Sequence, residues 1–350
     1  MRLQARRALA LREAGVYYAL LLIILALAAV CAALGRPGYL SAVNLINILY
    51  QASPVALMGV AMTVVLITGN FDLSVASVAA LAAAVQIGAV DAVGFWPALL
   101  LALMAAGAVG LLNGVMVQIV GINAFIVTLG TLTAIRGLVL IVTGGRSLMV
   151  QTPAALTAMT NFESGRVGPL PYPILYMAAF TLLVWLVLQF TTVGRRTYAV
   201  GGNAEAARLC GISVNAYRIG AFVLCGLAAG FAGVLYASRF GAMNPTALQG
   251  EELTVIAAAI LGGTSLFGGA GSVLKTVAGA LVLYTLTNGF NVLNLGANYQ
   301  GLIEGTVLIV AAAIYTLGGR RGRVSFRRGP APLLLRGSPP ANPVDPARSA

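Results

Sequence analysis

The sequence of 350 residues contains no histidine and very few charged side chains. Histidine is the commonest metal ligand and the commonest general base, so the chain lacks the residue that metal sites and acid–base catalytic sites most often use. Charged residues make up 9% of the chain, whereas soluble proteins have about 25%. The mean hydropathy is +0.94. These values exclude an ordinary soluble protein and predict one polytopic membrane domain whose outer surface meets lipid.

Patterns that carry covalent chemistry are also missing. The chain has three cysteines, Cys31, Cys210 and Cys225, without the CxxC spacing of metal or redox sites. No GxSxG or HExxH pattern occurs. Residues 269–276 are similar to a phosphate-binding loop, but Leu274 stands where its second glycine is needed. We therefore expect no catalytic residue, no metal, no cofactor and no nucleotide site in this chain.

Long apolar runs recur along the whole sequence. A membrane-spanning helix needs about 20 predominantly apolar residues. The run at 253–268 is short and rich in glycine, so we do not expect it to cross fully. The pattern predicts an all-α polytopic membrane protein of about ten transmembrane helices, at 16–34, 52–68, 73–90, 96–119, 122–143, 173–190, 217–237, 253–268, 273–290 and 300–317.

The positive charges are distributed unevenly among the loops. The net charge is +12, which could suit nucleic acid. Most arginines, however, lie at the termini and in the loop 191–216, as expected for cytoplasmic segments of an inner-membrane protein. We predict that both termini and this loop are cytoplasmic, with no nucleic-acid partner. The predicted divisions are a cytoplasmic segment 1–15, a transmembrane domain 16–318 and a disordered cytoplasmic tail 319–350.

Short matches suggest an internal repeat. Residues 72–75 (Asp-Leu-Ser-Val) are similar to 252–255 (Glu-Leu-Thr-Val), and Asn113-Gly114 is similar to Asn288-Gly289. Their order predicts that helices 2–5 and 7–10 are related units. A shift of five helices would invert the second unit, an arrangement common in transporters. The matches are short, and chance resemblance among small residues is the alternative.

Several polar residues stand at or inside apolar runs. Asp72 lies at a predicted helix start, where it could simply cap the helix. Arg136 and Glu304 lie within the fifth and tenth runs, and intramembrane charges usually face a partner or a cavity. We consider an Arg136–Glu304 pair as one hypothesis. Structural pairing is favoured over contact with a substrate.

A polar segment, 191–218, interrupts the apolar sequence and is too long for a simple tether. Asn203 is a good N-cap, residues 204–209 (Ala-Glu-Ala-Ala-Arg-Leu) favour a helix, and Gly211 can end it. This pattern predicts a short capped helix on which a partner docks. A solvated amphipathic connector is the alternative.

Taken together, the motifs resemble those of permease subunits of bacterial ABC sugar importers, of the ribose, xylose and autoinducer type. The resemblance covers about residues 15–318. Ala76 and Lys275 depart from it, since the family usually has glycine at both positions. The matching segments are 69–75 (GNFDLSV), 125–131 (FIVTLGT), 136–138 (RGL), 201–207 (GGNAEAA), 211–212 (GI), 252–253 (EL), 256–258 (IAA), 262–265 (GGTS), 268–269 (GG) and 288–289 (NG).

This resemblance implies a transport function and a set of partners. Two permease subunits, as a homodimer or a related heterodimer, would form the pathway for a sugar across the bilayer. A periplasmic or lipid-anchored binding protein would deliver the substrate, and a separate ATP-binding subunit would hydrolyse ATP. Related permeases for branched-chain amino acids or nucleosides are alternatives, as is an ion-coupled secondary transporter.

The resemblance also implies two sets of site residues. The first would form the coupling helix that contacts the ATPase: Gly202, Asn203, Glu205, Ala206, Ala207, Gly211 and Ile212. The second would belong to the translocation pathway or its family motif: Asp72, Ser74, Asn113, Phe125, Thr128, Arg136, Glu252 and Asn288.

Overall fold

The structure is a computed structural model that describes residues 14–295, 301 and 305–306. That part is built almost entirely from helices. In chain order they are α1 Gly15–Ala33, α2 Ala42–Ile67, α3 Val75–Val93, α4 Phe95–Val115, α5 Ala124–Thr143, α6 Pro153–Ser164, α7 Tyr172–Phe190, α8 Thr192–Gly202, α9 Ala204–Leu209, α10 Val214–Phe240, α11 Glu251–Leu261 and α12 Val273–Leu293.

Short elements connect these helices. A 3₁₀ turn, Pro37–Leu40, precedes α2, and a π-helical turn, Met116–Val120, extends α4. Two antiparallel strand pairs are present: β1 Leu148–Met149 with β4 Ala242–Met243, and β2 Arg166–Val167 with β3 Leu170–Pro171. Leu148 is the register partner of Met243, and Arg166 that of Pro171.

Eight helices of the described part are long and apolar enough to cross a membrane: α1, α2, α3, α4 with its π turn, α5, α7, α10 and α12. The expectation for the run at 253–268 is confirmed. It forms only the 11 residues of α11, about 16 Å of helix, which is half of a bilayer core. Most of the predicted run 300–317, including Glu304, lies outside the described residues, as do the segment before residue 14 and the tail 319–350.

The second predicted span begins earlier than expected. The apolar run starts at residue 52, but α2 begins at Ala42. Ser41 caps it by accepting a hydrogen bond from the Asn44 backbone N–H. The polar residues of this first stretch interrupt the apolar pattern, so the sequence did not predict this part of the helix. They are accommodated because Asn44 and Asn288 exchange hydrogen bonds of 2.9 and 3.1 Å between α2 and α12.

Helix α10 is the centre of the bundle and packs against α2, α3 and α4. Glycine and alanine at these contacts let the backbones approach closely, as the sequence predicts. A Cβ atom added to Gly233 in α10 would lie 2.0 Å from the Ala79 carbonyl oxygen of α3. Helix α12 forms a second layer with α1, α2 and α11. Helix α5 is largely exposed, with four buried residues.

The two sequence units share one local arrangement with opposite direction. In each, a left-handed glycine, Gly69 or Gly250, precedes an acidic residue and a helix, α3 or α11. Helix α3 leads away from the end of α2 at Ile67. Helix α11 leads towards it, because Gly269, eight residues after α11 ends, donates to the Ile67 carbonyl oxygen at 2.9 Å. The opposite directions of α3 and α11 agree with the inverted repeat, which stays a prediction.

Candidate coupling site

The backbone is interrupted at two places within the bundle. The first broken segment is 68–74, between α2 and α3, and the second is 262–272, between α11 and α12. A third irregular stretch, 241–250, leads from α10 into α11. Irregular backbone inside a membrane protein must find hydrogen-bond partners within the protein. The polar residues singled out in the sequence supply many of them.

Asp72, Ser74 and Asn113 form one buried network at the first broken segment. Asp72 accepts hydrogen bonds from the Ser74 backbone N–H at 2.9 Å and the Ser74 hydroxyl at 2.6 Å. The Asn113 amide donates to Ser74 Oγ at 2.9 Å, and Thr131 of α5 donates to Asn113 Oδ1 at 2.6 Å. Asp72 is 1% exposed and Asn113 fully buried. The network thus ties the broken segment to α4 and α5.

Two further pathway candidates lie near this network, on α5. The Phe125 ring packs edge-on against Phe71, with 6.1 Å between ring centroids. Thr128 is buried and donates to the Ala124 carbonyl oxygen at 2.8 Å. Both side chains therefore face the first broken segment or their own helix.

Arg136 donates hydrogen bonds to backbone carbonyl oxygens of the stretch 241–250, which leads into α11. Its Nη1 donates to the carbonyl oxygens of Pro245 at 2.9 Å and Ala247 at 2.8 Å. These carbonyls are the hydrogen-bond partners that the structure shows for Arg136, while the hypothetical partner Glu304 lies outside the described residues. Glu252 accepts from the Gly250 backbone N–H at 3.2 Å. Both residues therefore stabilise the irregular start of α11.

Asn288 takes part in a separate network. Asn288 exchanges hydrogen bonds with Asn44, as described above. The Asn44 amide also donates to the Tyr39 carbonyl oxygen at 2.8 Å, and the Tyr39 hydroxyl donates to the Thr285 carbonyl oxygen at 3.1 Å. Burial raises the pKa of Tyr39 to about 12. Asn113 and Asn288 match in sequence, yet Asn113 bonds within its own unit and Asn288 bonds to α2. The structure does not bring Asn288 to the Asp72 network.

The polar segment 191–218 contains two helices, whereas the sequence predicts one. The predicted helix is confirmed as α9: Asn203 caps it by accepting from the Ala206 N–H at 3.0 Å, and Gly211 follows it with a φ of +76°. The helix that sequence reasoning missed is α8. Thr191 caps α8 by accepting from the Gly194 N–H at 3.3 Å. A threonine after the apolar run was the available signal.

Helix α8 contacts both broken segments through backbone atoms. A Cβ added to Gly201 would lie 1.6 Å from the Ile67 carbonyl oxygen and 2.7 Å from the Gly269 nitrogen. The Tyr198 hydroxyl donates to the Gly271 carbonyl oxygen at 2.9 Å, and burial raises the pKa of this tyrosine. Three backbones therefore meet at Gly201. None of these contacts could be read from the sequence.

Arg218, at the start of α10, adds a further link to the first broken segment. Its Nε donates to the Thr68 carbonyl oxygen at 3.1 Å, and its Nη1 donates to Gln118 Oε1 of the π turn at 3.3 Å. Arg218 therefore connects α10 to the first broken segment and to the π turn at the end of α4.

The predicted coupling residues divide into an outer and an inner set. Gly202, Asn203, Glu205, Ala206 and Gly211 are exposed, and Ile212 is half-buried. Ala207 faces inwards, where it packs with Val200 and Val214. Two exposed apolar side chains stand out beside this surface: Leu209 of α9, 86% exposed, and Phe267 of the second broken segment, 90% exposed.

Eight candidate spans, two irregular segments between helices and a polar element that contacts both are features found in membrane transport proteins. Residues 44–312 match the family described as "Branched-chain amino acid transport system / permease component". The match covers well over half of the chain, so the chain belongs to this permease family. Within residues 14–295, no group of three metal-ligating side chains comes together.

Relatives within this family carry sugar names. The chain is 38% identical over 295 residues to the ribose import permease protein of Escherichia coli K12, which covers 84% of this chain and 92% of the relative. It is 35% identical over 294 residues to the L-arabinose transport system permease protein of the same strain, covering 83% and 88%. The corresponding D-allose protein is 32% identical over 301 residues, covering 85% and 90%. No solved structure matches the chain.

Proposed function

We propose that this chain is the permease subunit of an ATP-driven importer that carries a ribose-like or xylose-like monosaccharide across the bacterial inner membrane. The sugar class is supported by relatives that are named for ribose, allose and arabinose and are aligned over most of both chains. The family description names branched-chain amino acids instead. Those amino acids, together with nucleosides, are therefore the competing substrate classes.

The observation that carries the proposal is the meeting of α8 with both broken segments at Gly201. A coupling element must transmit movement of a partner to the parts of the bundle that open and close. Packed rigid elements can transmit such movement, whereas a flexible tether cannot. Helix α8 is packed against the Ile67 end of α2 and against Gly269, and α9 follows directly and packs against α8. A force applied at α9 would therefore reach both units together.

The proposed assembly places the exposed face of α9 against an ATPase subunit. Positively charged loops favour cytoplasmic placement of both termini and of the polar segment 191–218. The loop 144–171, which includes α6, would then face outwards, where a binding protein delivers substrate. A second permease subunit would complete the pathway. The pathway candidates Asp72, Asn113 and Asn288 would act in it as positioning residues, because their side chains are buried within one subunit.

Reconstituted uptake tests this proposal. The permease, its genomically adjacent ATPase and the adjacent binding protein would be assembled in proteoliposomes loaded with ATP. Radiolabelled ribose, xylose, leucine and uridine would be compared as substrates. We expect uptake of a pentose that requires all three components and ATP. Uptake of leucine or uridine alone would replace the sugar assignment, and uptake by the permease alone in an ion gradient would refute ATP coupling.

A further inference from the structure

A cavity of about 410 Å³ lies beside the coupling helices, between the first broken segment, the π turn, the start of α5 and the α9–α10 region. Its polar lining residues are Asn70, Gln118, Asn123, Arg208 and Arg218. No acidic residue is among the described residues that line it. The cavity therefore brings two guanidinium groups together without a carboxylate to neutralise them.

The arginines have hydrogen-bonding capacity left over. Arg218 uses Nε and Nη1 for the bonds to Thr68 and Gln118, and its Nη2 takes part in neither bond. Arg208 is exposed on α9. A guanidinium removed from water is costly unless it finds an anion or several acceptors. That cost applies to the half-buried Arg218, and the exposed Arg208 adds a second positive charge at the same cavity, so together they favour a bound anion.

Asn70 provides an independent indication. It lines the cavity and is only 7% exposed. Its Nδ2 has no hydrogen-bond partner among the described residues. A buried amide N–H group without a partner is destabilising. Since this atom is a donor, the missing group must be an acceptor, which is the same chemistry that the two arginines require.

The cavity is large enough for a phosphate group with or without a substituent. Liquid water occupies about 30 Å³ per molecule, so the cavity has room for on the order of ten water-sized groups. The fork of an arginine guanidinium suits the oxygens of a phosphate group. Basic pockets between helices at the cytoplasmic side commonly hold lipid headgroups.

We propose that this cavity binds a phosphate group, carried either by the headgroup of an acidic phospholipid or by free phosphate. The anion would accept hydrogen bonds from Arg208, Arg218 and Asn70. It would thereby connect α9 to the first broken segment. Binding needs neither ATP nor transport, so it is tested separately from the proposed import function.

The experiment uses the full-length permease, purified in detergent and stripped of lipid. Inorganic phosphate is titrated by calorimetry against chloride at equal ionic strength. In parallel, the protein is placed in vesicles of phosphatidylglycerol or of phosphatidylcholine, re-extracted, and the retained lipids are counted by native mass spectrometry. We expect saturable phosphate binding, selective retention of phosphatidylglycerol, or both. Phosphate without lipid retention identifies free phosphate as the source, and lipid retention without phosphate binding identifies the headgroup.

Two variants and one control connect binding to the cavity. Arg208→Gln should weaken binding about tenfold or more, since a charge-assisted hydrogen bond contributes about 1.5–3 kcal/mol. Asn70→Asp should abolish binding and raise the melting temperature without anion, because the new carboxylate partners the arginines. Arg196→Gln removes the same charge from an exposed site of α8 outside the cavity. It should bind normally.

Three results would overturn the proposal. The first is the absence of both phosphate binding and selective retention of phosphatidylglycerol in a folded protein. The second is equal weakening by Arg208→Gln and Arg196→Gln, which would indicate general surface charge. The third is an isolated permease that binds no anion while Arg208→Gln weakens its binding to the ATPase, since the cavity would then receive an acidic side chain of that partner.

Discussion

Replacing Gly201 with alanine is expected to separate the coupling helices from both broken segments. The added Cβ would lie 1.6 Å from the Ile67 carbonyl oxygen and 2.7 Å from the Gly269 nitrogen. Both neighbours are backbone atoms, so no side chain can rotate away. The backbones of α8 and α2 must therefore move apart by roughly 1.5 Å.

The cost follows from the same geometry. Forcing an extra methyl group into a packed site costs about 1–3 kcal/mol. The movement also lengthens the hydrogen bond of 2.9 Å from Gly269 N to Ile67 O, which contributes about 1 kcal/mol. We expect Gly201→Ala to destabilise the permease by about 2–4 kcal/mol in total. In the full transporter, ATP hydrolysis should continue while uptake falls, because the rigid link is lost.

Thermal unfolding in detergent and coupled uptake in proteoliposomes measure the two effects. Gly202→Ala is the matched control for stability, since nothing lies within 4 Å of a Cβ added to the adjacent Gly202. That variant should keep the wild-type melting temperature. A Gly201→Ala protein with unchanged melting temperature and unchanged uptake per ATP would refute the role assigned to this contact.

Four further predictions address the other parts of the site. Leu209→Arg should leave the melting temperature unchanged, because the side chain is 86% exposed, but should weaken ATPase binding; normal binding in a pull-down would contradict the docking face. Asp72→Ala should destabilise the protein by about 3 kcal/mol, measured by thermal unfolding, with a smaller loss for Asp91→Ala, whose carboxylate is exposed. Arg136→Leu should accelerate amide hydrogen exchange in 241–250, since the carbonyls of Pro245 and Ala247 lose their donor; unchanged exchange would argue against that clamp. Burial raises the pKa of Tyr39 from 10 to about 12, so its contribution to stability is present below about pH 10 and is lost as the pH rises towards 12; Tyr39→Phe should remove part of that alkaline loss, and an identical pH profile would contradict it.

The sequence predicts the membrane class and most helices because their cause is local. Long apolar runs must form helices in lipid, where backbone groups find no water. The exceptions are also informative. The first turns of α2 were missed because residues such as Asn44 look unfavourable in a membrane until Asn288 is placed beside them. The partner lies 244 residues away in sequence, so no local rule could reveal it.

The candidate site is predictable only in part. Asn203 and Gly211 mark α9 by capping rules that act within one turn of helix. By contrast, a capping role could be suspected for Asp72, but its hydrogen bond with the Ser74 hydroxyl and the link from Ser74 to Asn113 could not. Arg136 was recognised as a residue in need of a partner. The partners shown are backbone carbonyls, which any sequence could supply.

The sequence by itself determined the membrane environment, most of the helices and the family, because hydropathy, capping and short motifs are properties of neighbouring residues. Only the tertiary structure decided what the polar segment 191–218 touches. Gly201, Ile67 and Gly269 are far apart in the chain, and their meeting depends on three backbones packing within contact distance. The same is true of the cavity formed by Asn70, Arg208 and Arg218. These three donor side chains line one cavity because the helices pack together, and no short sequence pattern encodes that packing.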